Sequence, residues 1–244
     1  MYSPNKDYHL TELLNHADAG NLDAMSELVS LLAVEGYLSD PADHDIRERY
    51  ISCLETLAAN GDAEAYIMLG DAFKDGTGVA QDPQEAIRWY EKAVDAGELF
   101  GNECIGMMYY AGDGISQDYE KAFVIFMNTK GEKSFCTIYA LGEMYRYGHG
   151  VERDERMACT YYNEIVYCDS QYAAMDDYYL RACYRLACAH HYGAGVERDL
   201  ELALELMEKA KELRAERIDD NPTEISDEEI LAEWTRLNQD MGRL

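Results

Sequence analysis

The densest group of chemically capable side chains in this sequence is Cys183, Cys188, His190 and His191. Thiolates and imidazoles are zinc ligands, and a Cys–His couple is also the core of a thiol nucleophile. Either chemistry needs convergent geometry. Positions 188, 190 and 191 of a helix do not share a face, and no second cluster has metal-ligand spacing. Four Gly-x-Gly loops have no preceding strand, no Gly-x-Gly-x-x-Gly pattern and no P-loop lysine, so they are not phosphate cradles. No Ser, Cys or Thr stands in a nucleophile elbow or triad context. Asp176-Asp177 and Asp219-Asp220 read as solvated loop charges rather than the paired carboxylates of a glycosidase. The residues thus offer no catalytic group, no metal set and no cofactor site, and no enzyme is expected.

The elements that carry these residues are more informative. Gly76-Thr-Gly78-Val79, Gly112-Asp-Gly114-Ile115, Gly148-His-Gly150-Val151 and Gly193-Ala-Gly195-Val196 share one grammar, and each first glycine is followed six residues later by Asp82, Asp118, Asp154 or Asp199. The first glycines lie 36, 36 and 45 residues apart. Periods of this size with fixed glycine punctuation mark an array of stacked helical hairpins.

With the first glycine as origin, position −11 holds Ala65, Gly101, Thr137 and Ala182, and position −7 holds Leu69, Ile105, Leu141 and Leu186. Position −3 holds Phe73, Tyr109, Tyr145 and His190. Steps of four keep these on one face of a first helix, A. Small residues at −6 (Gly70, Gly106, Gly142, Ala187) allow a second helix to approach closely, with the −3 aromatic expected to fill the remaining gap. Glycine then closes helix A, and the aspartate caps helix B. Pro83 at N1 and Glu85 at N3 complete a start signal resembling a capping box. Helix B carries Ala86, Ala122, Ala158 and Ala203 at +10, then Trp89-Tyr90, Ile125-Phe126, Tyr161-Tyr162 and Leu206-Met207. These stripes read as packing between hairpins.

The chain is therefore expected to be a single all-α domain over 1–244. It opens with an N-terminal helix in 1–20 and a degenerate repeat over 21–61, with Gly36 as its only loop glycine and Asp40-Pro41 as cap and N1. Repeats follow at 62–97, 98–133, 134–176 (lengthened by Cys168–Asp177) and 177–218. After the break at Asn221-Pro222, Ser226 and Glu229 start a capping helix within 223–244, whose Ile230, Trp234, Leu237 and Met241 share a face. The seven cysteines, odd in number and irregularly spaced, suit small buried hydrophobes better than a disulfide framework.

Composition limits the partners. With 48 acidic against 21 basic residues the net charge is −27. That disfavours nucleic acid and anionic membranes, both of which need clustered Lys and Arg. A basic protein or peptide is compatible, as is a merely solubilising surface. The N-terminus shows no apolar leader pattern, and no stretch approaches the ~18 apolar residues of a membrane span, so a cytoplasmic location is expected.

The pattern best seen from Ala65 to Ala93 resembles the Sel-one-like repeat, a relative of the tetratricopeptide repeat, over about Ala63 to Leu213. The resemblance implies a right-handed α/α superhelical solenoid and a role as an adaptor or scaffold binding a protein or peptide. In bacteria such proteins often serve signalling, host interaction or toxin-immunity systems, so an acidic immunity or inhibitor protein against a basic toxin or enzyme is the alternative. The resemblance also implies a concave groove along the face formed by positions −12, −9, −5 and −2. The residues expected to bind there are Ile67, Phe100, Met107, Tyr110, Tyr139, Glu143, Arg146, Arg181, Tyr184 and His191. Aromatic, Met and Arg side chains of this kind serve as interface anchors.

Overall fold

The computed structural model describes residues 4–34, 37–38, 44–129, 134–168, 177–216 and 225–243. Among them every regular element is a helix: α1 (Pro4–Asp18), α2 (Leu22–Val34), α3 (His44–Ala59), α4 (Ala63–Asp75), α5 (Pro83–Asp95), α6 (Phe100–Ala111), α7 (Tyr119–Asn128), α8 (Phe135–Tyr147), α9 (Glu155–Val166), α10 (Asp177–Tyr192), α11 (Leu200–Glu216) and α12 (Asp227–Asp240). Gly36, Asp40-Pro41, the 169–176 part of the lengthened repeat and Asn221-Pro222 lie outside the described residues. The helices form two compact units, Met1–Gln117 and Asp118–Leu244. The first has its core on Leu28, Leu32, Leu54 and Leu69 of α2, α3 and α4. The second is built on Tyr162, Ile165, Leu180, Leu186 and Met207 of α9, α10 and α11.

Each unit repeats the same local solutions. Gly76, Gly112 and Gly148 end α4, α6 and α8 in the left-handed region, with φ of 76°, 73° and 73°. In the loop after α4 the N–H groups of Gly76 and Thr77 both donate to the Ala72 carbonyl, satisfying an otherwise unpaired helix end. Asp82, Asp154 and Asp199 then each accept two backbone N–H groups of the next helix, and Asp118 accepts one from Lys121. The reciprocal arm of a capping box forms at Ser226 and Glu229. At Asp82 it does not, because the Glu85 carboxylate accepts from Arg88 instead. The alanines at +10 are all buried, as are Leu69, Ile105, Leu141 and Leu186 at −7.

Two features sharpen the expected packing. The gap above the −6 glycines is filled by helix B: a Cβ on Gly70 would lie 2.3 Å from the Tyr90 ring, and one on Gly142 would lie 2.5 Å from that of Tyr162. Ala187 is tolerated in the fourth repeat because position +14 there is Met207, whose flexible chain can yield where a ring cannot. The second loop glycines also do more than reverse the chain. Gly114 packs on Pro83, Gly150 on Tyr119 and Gly195 on Glu155, the first residue of the preceding helix B in each case. Gly78 packs likewise on Arg47, in the first turn of α3.

This contact generates a paired prediction. Gly148→Ala and Gly150→Ala both place a Cβ at positive φ, costing about 1–2 kcal/mol. The new Cβ at 148 meets Arg153 at 3.4 Å, whereas that at 150 meets the Tyr119 carbonyl oxygen at 2.3 Å. Urea unfolding should therefore rank Gly150→Ala as the more destabilised by a further 1–3 kcal/mol, roughly the cost of overpacking.

Candidate protein-binding site

Within the second unit α8 and α10 pack against each other and against α9, and their shared face carries most of the expected site. At its centre lies Glu143, only 3% exposed. Its two carboxylate oxygens accept from Arg185 Nε at 3.0 Å and Nη2 at 2.8 Å, a bidentate pair, and Oε1 also accepts the Tyr162 hydroxyl. Arg185 Nε further donates to the Tyr139 hydroxyl at 3.2 Å. The Tyr139 ring sits 5.7 Å from Tyr162 and 5.6 Å from Tyr178. Burial works against the charge on Arg185, yet Tyr139 and Glu143 outweigh it and hold the guanidinium firmly protonated. Tyr162 is driven far above the ordinary phenol range by burial first and the Glu143 charge second.

The acid–hydroxyl contact has a counterpart in the first unit. Tyr90 Oη donates to Asp71 at 2.7 Å, and its ionisation is pushed up by burial and by that hydrogen bond. Asp71 and Glu143 both stand at −5, and Tyr90 and Tyr162 both at +14. The second repeat has Met107 and Phe126 at these positions and the fourth has Cys188 and Met207, so where the acid is missing the hydroxyl is missing too. A further recurrent contact comes from +5: Gln81 Nε2, Gln117 Nε2 and Arg198 Nε donate to the carbonyls of Lys74, Tyr110 and His191 at −2.

The ten expected binding residues fall into two groups. Tyr139, Glu143, Tyr184, His191 and, in the first unit, Ile67 are buried. Arg146, Arg181, Met107 and Tyr110 are half-buried and Phe100 is half exposed. Arg181 pairs with Asp177 at 2.9 Å and lies over the Tyr178 ring. Arg146 lies 5.6 Å from the ring of Tyr147, which is exposed. The face therefore presents Arg146, Arg181 and Tyr147 on a buried support of Glu143, Arg185, Tyr139 and Tyr162. Periodicity did not single out Arg185, Tyr147 or Tyr162 as part of it. Two signals could have done so: Arg185 is the only charge at −8, where the other repeats carry Met68, Cys104 and Ala140, and an acid at −5 coincides with a tyrosine at +14.

Nothing in this arrangement is poised for chemistry. Burial pushes the Cys188 thiol up to about 11 and that of Cys183 up to about 12, away from reactive thiolates. No His, Cys, Asp or Glu group among the described residues could hold a metal ion.

Comparison with protein families matches the Sel1 repeat at residues 63–98, 105–126, 138–164 and 180–214. The chain belongs to the Sel1-repeat family. Similar solved structures agree in fold: a Sel1 repeat protein from Oxalobacter formigenes, with 22% identity and a TM-score of 0.59, is matched over 96% of this chain and 60% of its own. Another is c5321, a protective antigen present in uropathogenic Escherichia coli strains and displaying an SLR fold, with 22% identity, a TM-score of 0.52, and coverage of 96% of this chain and 56% of its own. The chain thus spans less than two thirds of either. No curated protein sequence matches it. Sel1-repeat proteins are generally non-enzymatic scaffolds for protein interaction. Among the described residues no helix is long and apolar enough to cross a membrane.

The fourth Sel1 repeat ends in a second polar cluster. His191 Nδ1 lies 2.6 Å from Glu233 and Nε2 lies 3.1 Å from Asp240, both on α12. Tyr192 Oη and Arg236 Nη1 also donate to Glu233, at 3.0 and 2.9 Å. Burial alone would raise the Glu233 carboxyl, but the hydrogen bonds from His191, Tyr192 and Arg236 outweigh it and hold it below the usual carboxylate range. His191 is thereby committed to holding the last helix.

Two predictions come from these clusters. Glu143→Ala leaves the Arg185 guanidinium, 13% exposed, without its partner. It should cost about 3–5 kcal/mol in urea unfolding, the scale for removing one member of a buried pair. For Glu233, the depressed folded pKa means its stabilisation is complete above the ordinary carboxylate value and is lost as pH falls through the folded value. Acid titration in a Trp89→Phe background, followed by Trp234 fluorescence, should show α12 loosening at the acid end. Glu233→Gln should remove that step.

Proposed function

We propose that this chain is a scaffold that holds a segment of another protein against the α8–α10 face. The observation that carries the reading is a set of arginine and tyrosine side chains, Arg146, Arg181 and Tyr147, seated on a buried hydrogen-bonded support. Arg and Tyr are the side chains that concentrate binding energy at interfaces, and a support that locks their rotamers lowers the entropy lost on binding. The family's general role supports the same reading. Phe100, Met107 and Tyr110 on α6 are proposed as a second contact stretch in the first unit. Tyr139, Glu143, Tyr184 and His191 enter the proposal as residues that position their neighbours.

The test compares the wild-type chain with an Arg181→Gln, Tyr147→Ser double variant in quantitative pull-down from native lysate, after circular dichroism has shown equal helicity and melting. Proteins retained by the wild type should fall at least tenfold in the variant. Equal capture by the folded variant would remove the face from the proposal.

A further inference from the structure

Arg146 stands apart from the chain's other arginines. Arg49, Arg88, Arg153, Arg181, Arg185, Arg198 and Arg236 each pair with a carboxylate, and Arg47 donates to a backbone carbonyl. Arg146 has neither an ion pair nor a hydrogen bond among the described residues, although it is half-buried. Arg156 and Arg243, which also lack such a partner, are exposed to solvent. The neighbouring carboxylate, Glu143, is already taken by Arg185 in bidentate form, and the Arg185 charge opposes that of Arg146. The local set Arg146, Arg185 and Glu143 therefore carries a net positive charge on a chain of net charge −27.

Partial burial of a guanidinium without an anion costs solvation, and a chain with 48 acidic residues could have supplied a carboxylate at small cost. The fork geometry of guanidinium matches a carboxylate in the plane, and the half-dry setting beside Tyr147 strengthens such a pair over one in open water. The same overall charge repels polyanions, which disfavours nucleic acid or a strongly acidic domain as the source. An isolated acid in an otherwise uncharged or basic segment suffers little of that repulsion.

We propose that Arg146 is the anion-recognition point of the α8–α10 face and takes a single aspartate or glutamate side chain from an extended partner segment. This rests on the reading of that face as a protein-binding surface and names the chemistry of what it holds. Tyr147, beside the guanidinium and half exposed, supplies the adjacent aromatic contact, so the fitting segment carries an apolar or aromatic residue next to its acid.

The experiment is selection from a random twelve-residue peptide library displayed by fusion at its C-terminus, so that no free terminal carboxylate contributes. Wild type, Arg146→Gln, Arg146→Lys and Tyr147→Ser are compared after melting curves show that each is folded. The wild type should enrich peptides with one fixed acidic position, Arg146→Gln should lose that enrichment, and Arg146→Lys should keep it at reduced strength. For the best synthetic peptide, converting its acid to the amide and Arg146→Gln should each weaken binding roughly tenfold or more, the scale of a charge-assisted contact. The two changes together should cost no more than either alone. Enrichment without an acidic position, or an acidic preference that survives Arg146→Gln, overturns the inference. If the selected peptides are apolar and depend on Tyr147 while ignoring Arg146, the face still binds protein and only the carboxylate assignment falls. If the folded wild type selects nothing, both fall.

Discussion

The distance between the two helices of a hairpin is the constraint from which the rest follows. In α4–α5 and α8–α9 it is set by a missing side chain: Gly70 and Gly142 leave space that the Tyr90 and Tyr162 rings occupy completely. Once the ring lies there, its hydroxyl is carried to the next residue of helix A, and Asp71 or Glu143 must be an acceptor. Glu143, drawn below the surface in this way, needs a cation, and Arg185 of the following repeat supplies it. A single steric fact thus leads to a buried ion pair joining α8 to α10 and to the placement of the side chains above it.

Much of this fold is legible in the sequence because the forces that set it are local. Left-handed glycines, aspartate caps and the small or large alternation of helix A act within a few residues and recur at constant phase. The Arg185–Glu143 pair is different, since it spans 42 residues and joins two repeats. Periodicity assigns a side chain its direction around the helix; it does not say how deeply the neighbouring hairpin will cover it. That is why Tyr139, Glu143 and Tyr184, correctly placed on the face between helices, are buried while Arg146 and Tyr147 remain accessible. His191 was illegible for another reason: its partners Glu233 and Asp240 lie on α12, outside the repeating part of the chain.

The two faces of the chemistry differ in their dielectric setting. Most of the acidic excess is spread over exposed helix surfaces, where screening at physiological salt limits each charge to a range of about 8 Å. The Arg146 and Arg185 charges sit where water is partly excluded and act at closer quarters. Net charge consequently describes the chain's solubility and its long-range field, while the immediate preference of the α8–α10 face is governed by two guanidinium groups and one carboxylate.

The alternation of joints also bears on how such a chain avoids assembling in the wrong order. Successive repeats are near-copies, and a nascent helix A could dock on the helix B of a neighbour. The acid–hydroxyl joint acts as a key against that error: Glu143 laid against Phe126 or Met207 would bury a carboxylate with no donor, and Tyr162 against Met107 or Cys188 would lose its strongest acceptor. Either mismatch costs several kcal/mol, comparable to the whole stability of a marginal domain. A chain whose neighbouring joints are chemically unlike can tolerate nearly identical hairpins side by side, since a slip by one repeat is rejected before it can propagate.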